Sequence, residues 1–282
     1  MPKIVVSSVS FAQNPTLCAE LLKIFPDAQF SDVYGDADGI IVGTESINEP
    51  CPNLKIIAKY GVGLDNIDVE EYQKRGVAVA WEPGANKYSV AELTITLMIM
   101  LCRNIFVAAS DLKNGKWNRL TGSQLSGKTV GIIGAGHIGK EVIRLLEPFG
   151  CPLLINDIAD PESVEKEWVF KNADIVTIHT PLTALTRYMI TKKTLSVMKP
   201  TAYLINTARG KVVNQADLKW ALQNQIIAGA ALDVFETEPP TDTKFLSLPN
   251  LICTPHIGAN AIEAKLNMGR AAIQHLRQFF KV

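Results

Sequence analysis

The segment VGIIGAGHIGKEVIRLLEPFG, residues 130–150, carries the clearest indication of the fold in this 282-residue chain. An apolar strand leads into Gly134, Gly136 and Gly139, which are spaced as GxGxxG, and a helix with apolar residues on one face follows them. The next apolar strand, PLLIND, ends at Asp157, 18 residues beyond the last glycine. This order of strand, glycine turn, helix and strand ending in an acid is typical of a dinucleotide-binding βαβ unit.

Each residue of this unit has a physical role in holding a dinucleotide. Gly134 permits the tight turn, Gly136 lets the backbone approach a pyrophosphate, and Gly139 lets the helix pack closely on the strand. The helix N-terminus offers free N–H groups and the positive end of its dipole. The Asp157 carboxylate accepts hydrogen bonds from ribose hydroxyls and repels a 2′-phosphate, and the next residue, Ile158, supplies no cation. The turn therefore predicts NAD rather than NADP, although glycine-rich corners without a ligand are also common.

The rest of the chain continues this alternation on both sides of the stretch. Upstream, the strand-like runs KIVVSSV, GIIVG, NLKIIAKYGVG and VAVAW are interrupted by the helix-like runs TLCAELLKIF and VEEYQKRG. Strands that alternate with helices predict parallel sheets covered on both faces. The predicted fold class is therefore α/β, with two doubly wound parallel-sheet domains. Downstream, six strands are predicted at residues 129–133, 152–156, 174–178, 202–206, 228–234 and 251–254.

A break separates the two halves of the alternation. Pro83 and Gly84 interrupt the pattern before a strongly apolar run. Ser89 and Glu92 are spaced as a capping box, which predicts one long helix from about Ser89 to KNGK at residues 113–116. A break followed by a long helix predicts a hinge between domains.

Composition indicates a globular protein with reduced thiols. The chain is 47% hydrophobic and 20% charged, and its 28 basic and 28 acidic residues leave no net charge. This balance predicts neither a nucleic-acid nor a membrane partner. The five cysteines are scattered and form no CxxC pair, which argues against a disulfide framework and predicts no metal site. The N-terminus lacks the pattern of a signal peptide, so a cytoplasmic location is expected.

Three polar side chains beyond predicted strand ends form a candidate catalytic set. Arg209 follows one strand, Glu238 lies in the loop after another, and His256 follows the last strand. Ligands of open α/β sheets bind beyond the carboxyl ends of the strands. A guanidinium fork suits a carboxylate, and an imidazole exchanges a proton near neutrality, with a carboxylate behind it to fix its tautomer. Taken singly, an Arg after a strand is most often a surface charge, a Glu in a loop is usually solvated, and a His beside Pro and Gly is often an ordinary loop residue.

The other three histidines are weaker candidates for the acid. His137 lies inside the glycine turn, where its backbone would face the phosphates. His179 ends a strand and could line the cofactor cleft. His275 belongs to the terminal helix and is expected at the surface.

The chain resembles the D-isomer-specific 2-hydroxyacid dehydrogenase family, and within it most resembles short forms of D-3-phosphoglycerate dehydrogenase. The resemblance runs over nearly the whole chain, in KYGVGLDNID, PGANKYSVAEL, LSGKTVGIIGAGHIGKEV, HTPLT, INTARGKVVN, GAALDVFETEPP and LPNLICTPHIGA. It implies that Arg209 anchors the substrate, that His256 is the acid/base and that Glu238 is its partner. It implies a substrate contact at Lys59 and backbone N–H groups of Val62 and Gly63 facing the substrate carboxylate. Besides the three glycines and Asp157, it implies cofactor contacts at His137, Ile138, Thr180, Thr207, Ala208, Asp233, Gly258 and Ala259.

The resemblance also implies a discontinuous architecture. Residues 1–87 and 259–282 would form a flavodoxin-like substrate-binding domain, and residues 88–258 an inserted Rossmann NAD-binding domain. Family members are usually homodimers through the NAD domains, involving the long helix after the hinge. One departure concerns phosphate, because Gly43 stands where some phosphoglycerate dehydrogenases carry an Arg; Lys59, Lys87 and Arg119 are the remaining candidate cations.

Several functions stay open at this point. The leading hypothesis is an NAD-dependent D-2-hydroxyacid dehydrogenase, with 3-phosphoglycerate as one candidate substrate and glyoxylate or hydroxypyruvate as others. A phosphite or formate dehydrogenase of the same superfamily is a second hypothesis; Glu238 argues against formate, since formate enzymes replace that partner with a neutral amide. A third is an NADH-sensing binding protein of the same fold, which sequence alone does not distinguish from an enzyme.

Overall fold

The computed structural model describes residues 1–47 and 51–282 and divides into two compact units. The first unit comprises Met1–Lys87 together with Ala259–Val282, and the second comprises Tyr88–Gly258. The chain therefore leaves the first unit, builds the second from one continuous segment, and returns to complete the first. Each unit is built on its own parallel sheet.

The first unit contains a five-stranded parallel sheet with the strand order β2-β1-β3-β4-β5. This is the flavodoxin-like order, in which the chain reverses direction across the sheet beside the first strand. Its elements are β1 (Ile4–Val6), α1 (Val9–Ala12), α2 (Pro15–Ile24), β2 (Gln29–Phe30), β3 (Gly39–Val42), β4 (Ile56–Lys59), α3 (Val69–Lys74), β5 (Ala78–Ala80) and, from the returning segment, α11 (Ile262–Phe280).

The second unit contains a six-stranded parallel sheet with the order β11-β10-β9-β8-β6-β7. The order reverses at β6, so the turn that follows β6 lies at the switch point, where ligands of such sheets bind. Its elements are α4 (Lys87–Cys102), α5 (Ile105–Lys113), β6 (Val130–Ile133), α6 (His137–Leu146), β7 (Leu153–Asn156), α7 (Lys166–Asn172), β8 (Ile175–Ile178), α8 (Lys192–Val197), β9 (Tyr203–Asn206), α9 (Gln215–Gln223), β10 (Gly229–Leu232), α10 (Thr243–Leu246) and β11 (Leu251–Cys253).

Both faces of each sheet are buried, which confirms the predicted α/β class. Successive residues of a strand point to opposite faces. In β9, Leu204 packs into one apolar cluster and Ile205 into the cluster on the opposite face. In β4, Ile56 and Ile57 divide in the same way between two clusters of the first unit. Because each fully buried Leu or Ile contributes roughly 1.5–3 kcal/mol, these apolar strands hold the loops at their carboxyl ends in place.

Local sequence signals fix several helix starts close to the site. Asn214 caps α9 by accepting a hydrogen bond from Asp217 N at 3.0 Å, and Asp242 caps α10 by accepting one from Phe245 N. Such caps satisfy N–H groups that have no partner inside the helix.

The single long helix predicted from Ser89 is wrong, because the segment forms α4 and α5, bent by 68° at the break between them. Asn104 stands at the break with φ 53°, in the left-handed region. Ser89 lies inside α4, where its hydroxyl donates to Gly258 O at 2.6 Å instead of capping the helix. Within residues 1–47 and 51–282, no single helix is long and apolar enough to cross a membrane; α4 and α5 meet that length and composition as a bent pair.

Candidate active site

The glycine turn is shaped by two positions that leave no room for a side chain. Gly134 has φ 95°, and a Cβ there would lie 2.8 Å from the carbonyl oxygen of His179. A Cβ on Gly139 would lie 2.1 Å from the carbonyl oxygen of Gly134. Gly136 is the N-cap of α6 and, lacking a side chain, cannot cap its first N–H groups. These groups are therefore presented at the switch point, which suits a pyrophosphate.

The Asp157 carboxylate braces this turn from the end of β7. Its Oδ2 accepts a hydrogen bond from Ala135 N at 2.6 Å, and its Oδ1 accepts one from Ala159 N at 2.8 Å. The loop that it begins carries three further acids, Asp160, Glu162 and Glu165, and no Lys or Arg from 158 to 165. The carboxylate keeps acceptor capacity for a ribose hydroxyl in a strongly negative setting.

Polar groups line the neighbouring strand ends. Thr180 Oγ1 and His179 Nδ1 are buried and have no hydrogen-bond partner among the described residues. Burial lowers the pKa of His179 to about 3, so this histidine stays neutral and is a poor proton donor. Thr207 Oγ1 lies 3.1 Å from Thr94 Oγ1, which itself donates to Val90 O. Thr207 is thus the donor in that pair. Unpartnered buried polar atoms beside an open glycine turn fit a polar ligand such as a dinucleotide.

His256 and Glu238 form a direct hydrogen-bonded pair. His256 Nδ1 lies 2.7 Å from Glu238 Oε2, and Glu238 Oε1 accepts a second hydrogen bond from Phe235 N at 3.0 Å. The carboxylate therefore holds the proton on Nδ1 and leaves Nε2 to exchange one with a substrate.

The pair shifts the pKa values of both members. The hydrogen bond that His256 donates to Glu238 raises the pKa of His256, and burial of the ring acts in the opposite direction. Burial raises the pKa of the Glu238 carboxyl, but the hydrogen bonds from His256 and Phe235 N outweigh it and lower that pKa overall. The imidazolium–carboxylate state is thus favoured, as a proton donor near neutrality requires.

Asp233 anchors the loop that carries His256. This aspartate is 1% exposed. Its Oδ1 accepts from Thr254 Oγ1 at 2.6 Å and from Ile257 N at 2.8 Å, and its Oδ2 accepts from Gly258 N at 2.8 Å. Between them, His256 has φ 54°, a left-handed conformation that surrounding structure must stabilise. The family resemblance implies a cofactor contact at Asp233, and the sequence gave no sign of this anchoring.

Gly210 lets two catalytic segments run side by side. A Cβ on Gly210 would lie 1.9 Å from the backbone of Phe235. The segment of Arg209 therefore runs directly beside the loop of Glu238. Arg209 is half-buried, its Nη1 donates to Ala208 O at 2.6 Å, and Ala208 N donates to Asn206 Oδ1. The role of Gly210 was not predicted from the sequence, although its place directly after Arg209 is a signal that could have suggested it.

In the first unit, Lys59 lies at the end of β4 and is 4% exposed. Its Nζ donates to Gly43 O and, at 2.6 Å, to Asn66 Oδ1. Gly43 N in turn donates to Glu45 Oε2 at 2.9 Å, and a Cβ on Gly43 would lie 2.5 Å from Ser8 Oγ. A carboxylate therefore occupies the neighbourhood in which a cation would be needed for a phosphate, and Lys59 is engaged in local hydrogen bonds.

The remaining predicted contacts divide between the two units. Val62 and Gly63 follow β4 in the first unit, and Ala259 also belongs there. His137 and Ile138 open α6. His275 was expected at the surface, but its side chain is 22% exposed and its Nε2 lies 3.9 Å from Glu82 Oε2. Among the described residues, no group of three or more His, Cys, Asp or Glu side chains could hold a metal ion.

Residues 95–258 match the family model of the D-isomer specific 2-hydroxyacid dehydrogenase, NAD binding domain. The chain belongs to this family. A hydroxypyruvate reductase of Thermotoga maritima is 41% identical over 277 residues, covering 93% of this chain and 87% of that protein. A D-3-phosphoglycerate dehydrogenase of Bacillus subtilis is 42% identical over 249 residues, which cover 84% of this chain. The match spans about half of that second relative, 47% of its length.

Solved structures of the family agree with the fold along the whole chain. The NADPH-dependent glyoxylate/hydroxypyruvate reductase of Sinorhizobium meliloti, in complex with NADP and malonate, superimposes with a TM-score of 0.89 at 30% identity, covering 100% of this chain and 94% of that one. The D-lactate dehydrogenase of Aquifex aeolicus, complexed with NAD and lactic acid, gives 0.87 at 25% identity, covering 99% and 95%. The chain is thus a nicotinamide-dependent D-2-hydroxyacid dehydrogenase acting on CH–OH donors, which confirms the predicted family, fold class and enzyme class.

Proposed function

We propose that this dehydrogenase uses NADH to reduce C2 of a small, unphosphorylated 2-keto acid, such as glyoxylate or hydroxypyruvate. The observation that carries the proposed proton chemistry is the 2.7 Å contact between His256 Nδ1 and Glu238 Oε2. The first unit serves the substrate and the second serves NAD. The hydroxypyruvate reductase relative, of which 87% is covered, supports the substrate class.

The chain's own residues orient the acid and move one proton. NADH, when bound, supplies the hydride. His256 gives its Nε2 proton to the C2 oxygen in reduction and takes it back in oxidation, while Glu238 holds the Nδ1 proton throughout. Arg209 offers its planar fork to the substrate carboxylate. The backbone N–H groups of Val62 and Gly63, which follow β4 in the first unit, are further donors suited to a carboxylate.

The cofactor is NAD rather than NADP, and a substitution at Asp157 tests this preference. Asp157→Ala should weaken NADH binding roughly 10- to 100-fold, because a charge-assisted hydrogen bond is lost. It should also narrow the gap between NADH and NADPH, since the carboxylate no longer repels a 2′-phosphate. The matched control is Asp160→Ala, which removes the same charge from the same loop without touching the glycine turn. A wild-type enzyme that uses NADPH as efficiently as NADH contradicts the assignment.

Lys59 distinguishes an unphosphorylated from a phosphorylated substrate. Lys59→Met keeps the bulk of the buried side chain and removes its ammonium. We expect kcat/KM for hydroxypyruvate and for 3-phosphohydroxypyruvate to fall by the same factor, because Lys59 is bonded to Gly43 and Asn66. Unfolding by denaturant should show a loss of about 1–3 kcal/mol, because Asn66 Oδ1 loses its Lys59 donor and Gly43 O keeps only the hydrogen bond from Asn66 Nδ2 at 3.1 Å. A much larger penalty on the phosphorylated acid would restore Lys59 as a substrate contact, as the sequence predicts, and favour phosphoglycerate.

A panel assay tests the proposed function as a whole. NADH absorbance is followed with glyoxylate, hydroxypyruvate, pyruvate, 3-phosphohydroxypyruvate and bulkier 2-keto acids. The expected result is the highest kcat/KM for glyoxylate or hydroxypyruvate. If kcat/KM is highest for 3-phosphohydroxypyruvate, the result supports the alternative that the enzyme is a phosphoglycerate dehydrogenase. The 42% identity to the Bacillus subtilis D-3-phosphoglycerate dehydrogenase also supports this alternative. If the protein binds NADH but reduces none of the acids, the result supports the hypothesis of an NADH-sensing binding protein.

The enzyme acts as a homodimer in the cytoplasm. Exposed apolar side chains in and after α5 support a dimer, because patches of this kind mark protein contacts; light scattering of the purified chain tests it. The five unpaired cysteines support a reducing compartment. The exposed apolar side chains are Ile105, Phe106, Leu112, Trp117 and Leu120.

A further inference from the structure

The loop Phe235–Glu238 that carries the partner of His256 is held by a second glutamate. Glu236 Oε1 accepts a hydrogen bond from Gln215 N at 2.6 Å, and its Oε2 lies 3.4 Å from the Tyr188 hydroxyl. The Glu236 side chain is half-buried, whereas Thr237 and Glu238 after it are exposed. The contacts of Glu236 therefore attach the exposed part of the loop to the body of the second unit.

The anchoring point is the start of α9, which is well suited to a carboxylate. Gln215 is the first residue of α9, so its N–H has no partner inside the helix. The N-cap residue Asn214 satisfies a different group, Asp217 N at 3.0 Å. The N-terminal end of the helix dipole adds to the attraction for a negative side chain. Glu236 and Asn214 thus accept hydrogen bonds from different N–H groups of the first turn of α9, those of Gln215 and Asp217.

We propose that Glu236 is a positioning residue that keeps Glu238 within hydrogen-bond reach of His256. It acts through Glu238, two residues further along the loop, and has no role in contacting the substrate. The inference rests on the proposed function for its meaning in catalysis, but the geometry that it describes exists without substrate. Small displacements of a catalytic group can cost large factors in rate.

Two substitutions separate the reach of Glu236 from its charge. Glu236→Gln keeps an oxygen acceptor at the same distance and removes the charge, whereas Glu236→Asp keeps the charge and is one methylene too short. If Glu236 positions the loop, the Gln variant stays closest to wild type and loses only the attraction of the helix dipole, whereas the Asp and Ala variants release Glu238. If instead the charge of Glu236 alone acted on His256, the Asp variant would leave the titration of His256 unchanged and the Gln variant would shift it.

The readout is the pH dependence of kcat/KM for keto-acid reduction, with NMR titration of the His256 ring in the enzyme without substrate. We expect the falling limb and the ring titration to move to lower pH in Glu236→Asp and Glu236→Ala, with roughly 10-fold lower kcat. Asn214→Ala is the matched control, since it weakens the same helix end and leaves the loop anchored. It should lower thermal stability and leave both pH readouts in place.

Three outcomes overturn the inference: unchanged titration of His256 in the Asp variant, a shift in the Gln variant equal to that in Ala, or an equal shift in Asn214→Ala. Should the Ala variant not fold, the Asp and Gln pair still decides. Because the ring titration requires no turnover, an enzyme that reduces none of the acids tested would count against the proposed function and leave the positioning result readable.

Discussion

Replacing His256 is expected to lower kcat/KM for keto-acid reduction by roughly 10²- to 10⁴-fold, because the general acid is lost. The residual rate should also lose the falling limb at high pH. Two variants are needed, since His256 has φ 54°: His256→Ala, and His256→Asn, which tolerates the left-handed backbone. Equal losses in both variants, with unchanged NADH binding, assign the effect to the ring. A variant that retains wild-type rate contradicts the role of His256.

The pH limb itself gives the sign test for Glu238. Reduction needs protonated His256, whose pKa is raised by Glu238, so the rate falls only as pH rises through that raised value. Glu238→Gln removes the charge and keeps the shape, which lowers the pKa of His256 and moves the falling limb to lower pH. Oxidation needs neutral His256, so its rising limb should move to lower pH as well. A limb that stays in place, or moves to higher pH, excludes Glu238 as the partner.

The second large effect is expected at Arg209. Arg209→Lys keeps the positive charge and loses the planar fork that binds a carboxylate at two points. We expect a loss of roughly 10- to 1000-fold in kcat/KM, equivalent to about 1.4–4 kcal/mol of transition-state stabilisation. NADH affinity should change far less.

The matched control for this substitution is Arg187→Lys. The Arg187 guanidinium is exposed and stacks on the Tyr188 ring at 5.2 Å from its centroid, so the same exchange there should leave the kinetics unchanged. If Arg209→Lys lowers stability and spares the kinetics of the folded fraction, Arg209 is structural.

The βαβ unit could be predicted because each of its parts carries a local signal. The strand expected at 129–133 is observed at Val130–Ile133, and the glycine spacing places the turn. Where no local signal exists, prediction failed. No residue pattern in RNIF, residues 103–106, predicts the left-handed conformation of Asn104 at which the apolar helix breaks. The strand Gln29–Phe30 was missed because it is two residues long and both side chains are exposed, so no alternation marks it.

The candidate site likewise contains residues that a local sequence signal marks and residues that no local signal marks. Arg209, Glu238 and His256 could be named because each follows a strand whose end is readable from the sequence. The support around them depends on residues distant in the chain. Asp233 reaches the amides of Ile257 and Gly258, 24 and 25 residues away. Contacts of this kind arise from tertiary packing, which the sequence around each residue does not encode.

The return of the chain to the first unit reverses the usual order of folding during synthesis, in which N-terminal segments fold first. Residues 88–258 form a continuous unit and have all their strands once Gly258 has left the ribosome. The first unit cannot complete its core until α11 has been synthesised, because α11 supplies Met268, Ala272 and Leu276 to the core around Leu17. A Cβ on Gly269 would lie 2.3 Å from the Leu17 side chain, so the two surfaces meet closely. The nascent first segment therefore exposes the apolar face that α11 covers until residues 259–282 have been synthesised.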